Sequence, residues 1–401
     1  MYITYDKNRF YVFNFENQEV FMKLLRLKVK GISLLKKELD ISFYGLQRVS
    51  DEDKDSMYHL FSNIYLNCAN AFIGKNASGK TTVLQVISLA LNILNNEPIN
   101  HIPSKYVLSD GKKVDMFIYY FIENEGVYCL NTTISESMSR YKIIDEKLYF
   151  KSIRNIKSKK ELTDFILDEP IQARNQNEEF LSDDVSMIIA RNKKSASHML
   201  VSNLLSFTSS NTISPKDEVS LEIIQFLDPT IESLYFDRES ISSHIHLKFK
   251  GKKEIVLNSV SELELYLSSG TIKGMLAFTQ AKEVLKNGGY LLVDEIENHF
   301  NKEIVSTLIR LFMDNGFNKN GGILIYTTHY PELLDEYERN DSIYIAENND
   351  GITITNLSKL LLRNDIKKSD AYEAGLIAQT TPEYESYMNM KKHISAYIMK
   401  G

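Results

Sequence analysis

The chain has 401 residues and a formal net charge of −6, with 25% of its residues charged and 43% hydrophobic. That composition supports a sizeable core and, at roughly 100–200 residues per domain, two or three domains or one large domain with insertions. It excludes collagen-like and low-complexity architectures, because 17 glycines and 7 prolines fall well below average usage, and it excludes a basic nucleic-acid coat over the whole surface.

Residues 1–45 read as strands: Phe21 to Val29 alternates in hydropathy, and Leu39 to Tyr44 alternates again. The first residues, MYITYDKNRFYVFNFENQ, lack the apolar core and small-residue cleavage site of a signal peptide. No run of 18 apolar residues follows, so a soluble cytoplasmic chain with no membrane span is expected. Ile64 to Ile73 is an apolar strand that ends at a glycine. After it, Val83, Leu84, Ile87, Leu91 and Leu94 recur at helical spacing over Thr81–Leu94. Two more strands are expected over residues 114–134. Cys68 and Cys129 lie in strand-like stretches, form no CxxC pair, and read as small buried residues of a reduced protein.

Residues 136–215 are charged and poor in glycine. They read as a largely helical insertion, with helices at Glu161–Leu167 and Ala196–Phe207. Strands return over 216–257, with a hairpin turn around Gly251. Then come a helix over Ile272–Leu285, the strand YLLVD, another helix, the strand GILIYTT and a mixed final segment. The fold class this predicts is α/β, a mixed sheet flanked by helices.

Four motifs carry chemistry. Gly74, Lys75, Asn76, Ala77, Ser78, Gly79, Lys80 and Thr81 fit GxxxxGK[ST] without mismatch, between an apolar strand and an amphipathic helix that continues through Thr82. Glycines let successive backbone N–H groups curl around phosphate oxygens, and the helix N-terminus adds partial positive charge there. Lys80 would reach the β- and γ-phosphates, and Thr81 would offer a hydroxyl to Mg²⁺. Tyr290–Val293 followed by Asp294 and Glu295 reads as a buried parallel strand with acids at its carboxyl end. Asp294 would hold Mg²⁺, and Glu295 would orient and deprotonate a water. Leu267-Ser268-Ser269-Gly270-Thr271 precedes that strand by one helix. Its serines and helix N-terminus form a second phosphate-binding surface, or an ordinary helix cap. Ile323–Thr328 is a further apolar strand, and His329 at its edge could hydrogen-bond a γ-phosphate.

These motifs occur in the order and spacing of ATP-binding-cassette ATPases, and the chain resembles the soluble branch that includes the SMC, RecF and OLD-type proteins. GKNASGKTT resembles the family's Walker A motif and LLVDEIENHF its Walker B motif and D-loop; LSSGTIKG resembles the signature motif and TTH the switch histidine. The resemblance implies a P-loop NTPase with an ABC-type head, binding ATP and Mg²⁺. In such heads two subunits sandwich the nucleotide, so Ser268, Ser269 and Gly270 of one copy would cap the γ-phosphate held by Lys80 of another. Glu295 would be the catalytic base, His329 the phosphate sensor, and Glu297 to His299 the D-loop at the seam. The family's Q-loop glutamine has no placed counterpart, and Ser269 and Thr271 stand where transporters carry Gly and Gln. The matching motifs divide the chain into an N-terminal ATPase lobe at 1–135, the insertion at 136–215, a C-terminal ATPase lobe at 216–345 and a tail segment at 346–401.

Long coiled-coil arms and a TOPRIM nuclease are not expected, since no sustained heptads occur and no DxD cluster follows His329. The tail LLRNDIKKSDAYEAGLIAQTTPEYE resembles those of stand-alone ATPases in defence operons. The function this implies is an ATP-driven sensor or scaffold in bacterial anti-phage defence, a homodimer or larger homo-oligomer that controls a separately encoded effector such as a nuclease or toxin. The alternative is a RecF-like repair ATPase that binds DNA directly through Lys157–Lys160 and Arg191–Lys194. A third reading is a nucleotide switch with little turnover. Arg363, Lys367 and Lys368 read as a solvated helix face.

Overall fold

Two six-stranded sheets share one core. The computed structural model describes residues 21–108, 112–175, 181–195, 198–205, 219–237, 244–298, 300–377 and 384–398. The first sheet is antiparallel, in the order Leu39–Ser42, Met22–Lys30, Val114–Ile122, Gly126–Ser137, Arg140–Ser152, Gln172–Ala173. The second runs Val201–Leu204, Tyr290–Val293, Ile323–Thr328, Ala69–Ile73, Ile343–Asn348, Ile352–Asn356; every neighbouring pair is parallel except the last.

Both faces of the parallel sheet are buried. Tyr290, Leu292, Ile323 and Ile325 face the antiparallel sheet and the helix Lys80–Leu94. Leu291, Val293, Leu324 and Tyr326 face the helices Ser269–Asn287 and Lys302–Met313. A parallel strand buried on both faces reads as a continuous apolar run, which is why YLLV and ILIY stand out in the sequence. A small third sheet, Ile231–Phe236, Ile245–Phe249 and Ile255–Leu257, packs with helix Leu221–Leu227 against Ile272 and Met275 of the Ser269–Asn287 helix. Its hairpin turns at Gly251, as the sequence suggests.

A largely helical insertion is expected at 136–215, but among its described residues strand and irregular backbone outweigh helix. Arg140–Ser152 is a strand that continues the antiparallel sheet. Residues 161–167 are turn and irregular backbone instead of a helix. Leu162 is buried there, Phe165 packs against Tyr149, and the Lys151 ammonium donates to the carbonyls of Glu161 and Asp164, taking the acceptors a helix would use itself. Within Ala196–Phe207, Val201–Leu204 is the edge strand of the parallel sheet, paired with Tyr290–Val293; Ala196, Ser197, Ser206 and Phe207 lie outside the described residues. A short apolar run has no periodicity that separates strand from helix. The described helix of this stretch is Ile189–Ser195, seven residues long.

Two further differences follow from pairing. The single strand expected over Ile64–Ile73 is two: Ile64–Asn67 pairs antiparallel with Met57–Phe61, and Ala69–Ile73 joins the parallel sheet. The strand Ile343–Asn348 runs across position 345, so the tail segment begins inside the core sheet. Cys68 and Cys129 are buried free thiols, pushed up to about 12 by burial. Among the described residues no helix is long and apolar enough to cross a membrane.

Candidate functional site

Three parallel strands deliver the site at their carboxyl ends, the edge where open α/β sheets bind ligands. The strand Ala69–Ile73 leads into the loop Gly74–Gly79 and the helix that begins at Lys80. Gly79 has φ +91°, a left-handed conformation that turns the loop into the helix. A side chain at Gly79 would also collide with Ile352, and one at Gly74 would meet the Ala346 carbonyl and the Ser78 hydroxyl. Asn348 donates to the Ala77 carbonyl at 3.0 Å. The loop is therefore seated on the hairpin 343–356, a contact the motif reading missed because nothing in that stretch resembles a nucleotide motif.

Lys80 is buried, and burial lowers its pKa to about 8 against the opposing pull of Glu297, Asp294 and Glu295. Its ammonium donates to Gly74 O at 2.9 Å and Lys75 O at 3.1 Å. His329 lies against it, with Nδ1 at 3.3 Å and Nε2 at 3.2 Å. The register explains this meeting: Thr328 is paired with Ile73, so the next residues in each strand, His329 and Gly74, emerge side by side.

On the other flank, Val293 is paired with Tyr326, which sets Asp294 beside Thr327. The Thr327 hydroxyl donates to Asp294 Oδ1 at 2.6 Å and accepts from the Glu295 N–H at 2.7 Å. The Thr81 hydroxyl donates to Asp294 Oδ2 at 2.7 Å. Glu295 has φ +49°, an uncommon conformation for a residue with a side chain and one that clusters at functional sites. The kink leaves its carboxylate half-exposed, 3.6 Å from His329 Nε2 and accepting from Asn298 Nδ2. Ile296 turns into the core, and Glu297 is buried with Oε1 accepting from the His329 N–H at 2.6 Å.

Gly74, Ser78, Lys80, Thr81, Asp294, Glu295 and His329 are thus brought together, with Asn76 and Ala77 exposed on the loop and Thr82 half-buried in the first helical turn. Glu297 sits inside the chain's own site, at the His329 backbone; His299 lies outside the described residues. Ser268, Ser269 and Gly270 lie at the start of the helix Ser269–Asn287. Ser268 is the N-cap of the helix Ser269–Asn287, its hydroxyl accepting from Thr271 N at 3.0 Å. Thr327 carries two hydrogen bonds of the site although it reads as one more residue of an apolar strand. The signal that could have found it is a threonine two before the histidine, where the strand would otherwise stay aliphatic.

The donor set suits a nucleotide and its magnesium. A left-handed glycine ahead of a helix N-terminus, with a buried lysine beneath it, is an anion cradle. Mg²⁺ takes hard oxygen ligands and is held through one or two protein groups together with substrate phosphates. The Thr81 hydroxyl and the Asp294 carboxylate are such a pair, already in contact. No group of three or more His, Cys, Asp or Glu with metal-site geometry occurs among the described residues.

Of the solvated helix face expected at Arg363, Lys367 and Lys368, the exposure holds for two, but Arg363 lies in irregular backbone and Lys367 only precedes the helix Lys368–Glu373. Arg363 and Lys367 are exposed and paired with Asp365 and Asp370. Lys368 is buried, its pKa lowered by burial, and it donates to the carbonyls of Glu338 and Asn364.

A comparison with curated proteins finds no match to this chain. A family model described as "AAA domain, putative AbiEii toxin, Type IV TA system" matches residues 69–335, from the first residue of the P-loop strand to six residues past His329. That span covers roughly two thirds of the 401 residues and all the motifs above, and the chain belongs to this family of AAA-type P-loop ATPase domains.

Proposed function

We propose that the chain binds ATP with Mg²⁺ and hydrolyses it, with Glu295 as the general base. The observation that carries this reading is the convergence of Lys80, Thr81, Asp294, Glu295 and His329 within hydrogen-bond or ion-pair reach of one another. Lys80 and the loop N–H groups hold the phosphates, and His329, which lies against Lys80, would contact the terminal phosphate. Thr327 fixes both acids, and Glu295, aimed past the strand end, takes the proton of the attacking water. Magnesium, when bound by Thr81 and Asp294, would neutralise charge building on the leaving phosphate oxygens. In solution the chain should turn over ATP, Glu295→Gln should bind it without turnover, and Lys80→Ala should bind it weakly. Wild-type turnover by Glu295→Gln would remove Glu295 from the role of base.

We further read the working unit as two or more copies, with Ser268, Ser269 and Gly270 of one completing the pocket of the next. In this chain Ser268 is occupied as a helix cap and is not joined to Lys80. Size measurement of Glu295→Gln with and without ATP tests this; a monomer under saturating ATP would sink it.

The biological role we favour is control of a separately encoded effector in phage defence, a setting in keeping with the toxin–antitoxin wording of the family. The basic runs that motivated direct DNA binding are partly engaged. Lys159 donates to Gln47 O, and Arg191 is paired with Glu125 and held at Tyr128. Salt-dependent DNA binding by the purified chain would favour the repair reading instead.

A further inference from the structure

We infer that Glu297 is a positioning residue for hydrolysis: its carboxylate fixes the backbone at His329 and so holds the imidazole against Lys80. This deepens the ATPase reading and rests on it. Three observations carry it. First, the ladder that orders the His329 strand stops at Thr328, so the His329 N–H lacks a strand partner and Glu297 Oε1 accepts it at 2.6 Å. Second, Glu297 is 6% exposed, and its Oε2 is buried without a hydrogen-bond partner among the described residues. The carboxylate also offsets the burial of Lys80, so it stands where the phosphate-binding lysine and the His329 backbone meet, with one oxygen still unbonded. Third, it reaches this place only because Glu295 adopts its left-handed conformation. The kink sends Ile296 into the core and brings Glu297 beneath the His329 backbone. The same kink aims the base outward and the latch inward.

The latch acts through His329 and not on the nucleotide. Without it the imidazole, now 3.2 Å from Lys80 Nζ and 3.6 Å from Glu295 Oε1, loses the restraint on its main chain. Misplacement of a group that contacts the reacting phosphate slows the chemical step more than it weakens binding.

The test is steady-state ATP hydrolysis by the full chain with Mg²⁺, comparing wild type, Glu297→Ala, Glu297→Gln, His329→Ala and the Glu297→Ala, His329→Ala double variant. Glu297→Ala should lower kcat by about tenfold or more with KM nearly unchanged. Glu297→Gln should recover most of that loss, since its amide oxygen still accepts the N–H. The double variant should be no slower than His329→Ala, the mark of two residues acting as a unit. Additive losses, an unchanged kcat in Glu297→Ala, or a Gln variant as slow as Ala would each overturn the inference. If Glu297→Ala melts below the assay temperature, Glu297→Met takes its place, keeping volume without an acceptor. A wild-type chain that does not hydrolyse ATP would instead overturn the functional reading beneath it.

Discussion

Thr81 and Asp294 are 213 positions apart in the chain, and their side chains meet at 2.7 Å. One lies on the first turn of the P-loop helix, the other at the end of a strand separated from the P-loop strand by Ile323–Thr328. The expected consequence is a shared dependence on magnesium. Thr81→Ala and Asp294→Asn should each raise the Mg²⁺ concentration for half-maximal hydrolysis, by about 10–100-fold, while ATP still binds. A magnesium titration of the ATPase rate reads this directly, and unchanged curves in both variants would separate the pair from the metal.

Thr327→Val removes the hydroxyl that joins Asp294 to the Glu295 N–H. The substitution is nearly isosteric and lies in a fully buried strand, so it leaves an acceptor and a donor unpaired at a cost of about 1–3 kcal/mol. A fall in melting temperature together with a fall in kcat is expected. A variant as stable as wild type would show that these two bonds are dispensable.

Gly79→Ala should abolish tight nucleotide binding. The position has φ +91°, and an added methyl would lie 2.4 Å from Ile352 Cδ1. The backbone strain alone is about 1–2 kcal/mol. Adding Ile352→Ala clears the collision but not the strain, so the double variant should recover only part of the affinity, as measured by calorimetry with ATP.

Lys23 gives the pH prediction. It is wholly buried, its ammonium donating to the carbonyls of Gly288 and Gly321, and burial lowers its pKa from 10.5 to about 7. A base whose folded pKa is depressed binds fewer protons folded than unfolded between those two values. Stability therefore rises with pH from about 7 to 10.5, by at most about 1.4 kcal/mol per unit. Lys23→Met should flatten that rise in denaturant melts taken across the window. An identical slope in the variant would assign the rise to other groups.

Asp335 binds the tail. Its carboxylate accepts from Lys368 N and Ser369 N, each at 3.0 Å, and from the Ser369 hydroxyl at 2.6 Å. Asp335→Ala should free the short helix Lys368–Glu373, at about 1–2 kcal/mol for the lost cap, and speed proteolysis after residue 360. Unchanged cleavage would show that burial of Ala371 and Tyr372 suffices to hold it.

The parts of this fold that were legible are those whose signal is local. GKNASGKTT needs only its own glycines and lysine, and YLLV and ILIYTT announce strands buried on both faces. What stayed hidden depends on partners distant in sequence. Val201–Leu204 becomes a strand because Tyr290–Val293 offers it an edge, and nothing in its four residues says so. Residues 161–167 lose their helical option to the ammonium of Lys151, a donor from the neighbouring strand. Nothing local to Glu297 tells that the kink at Glu295 folds it under His329. Lys368 reads as solvated until Glu338 and Asn364 close over it.

The strand order also has a consequence for synthesis on the ribosome. The P-loop strand Ala69–Ile73 pairs on one side with Ile323–Thr328 and on the other with Ile343–Asn348. At roughly 5–20 residues per second, the nascent P-loop waits on the order of 10–50 s for either neighbour. Through that interval it is an apolar strand with both edges open, the state most prone to mispairing. A half-made chain should hold nucleotide weakly, because His329, Asp294 and the hairpin that seats the loop have yet to emerge. ATP would then stabilise only molecules that have completed both pairings, and its presence during refolding should raise the yield of native chain without hastening its first collapse.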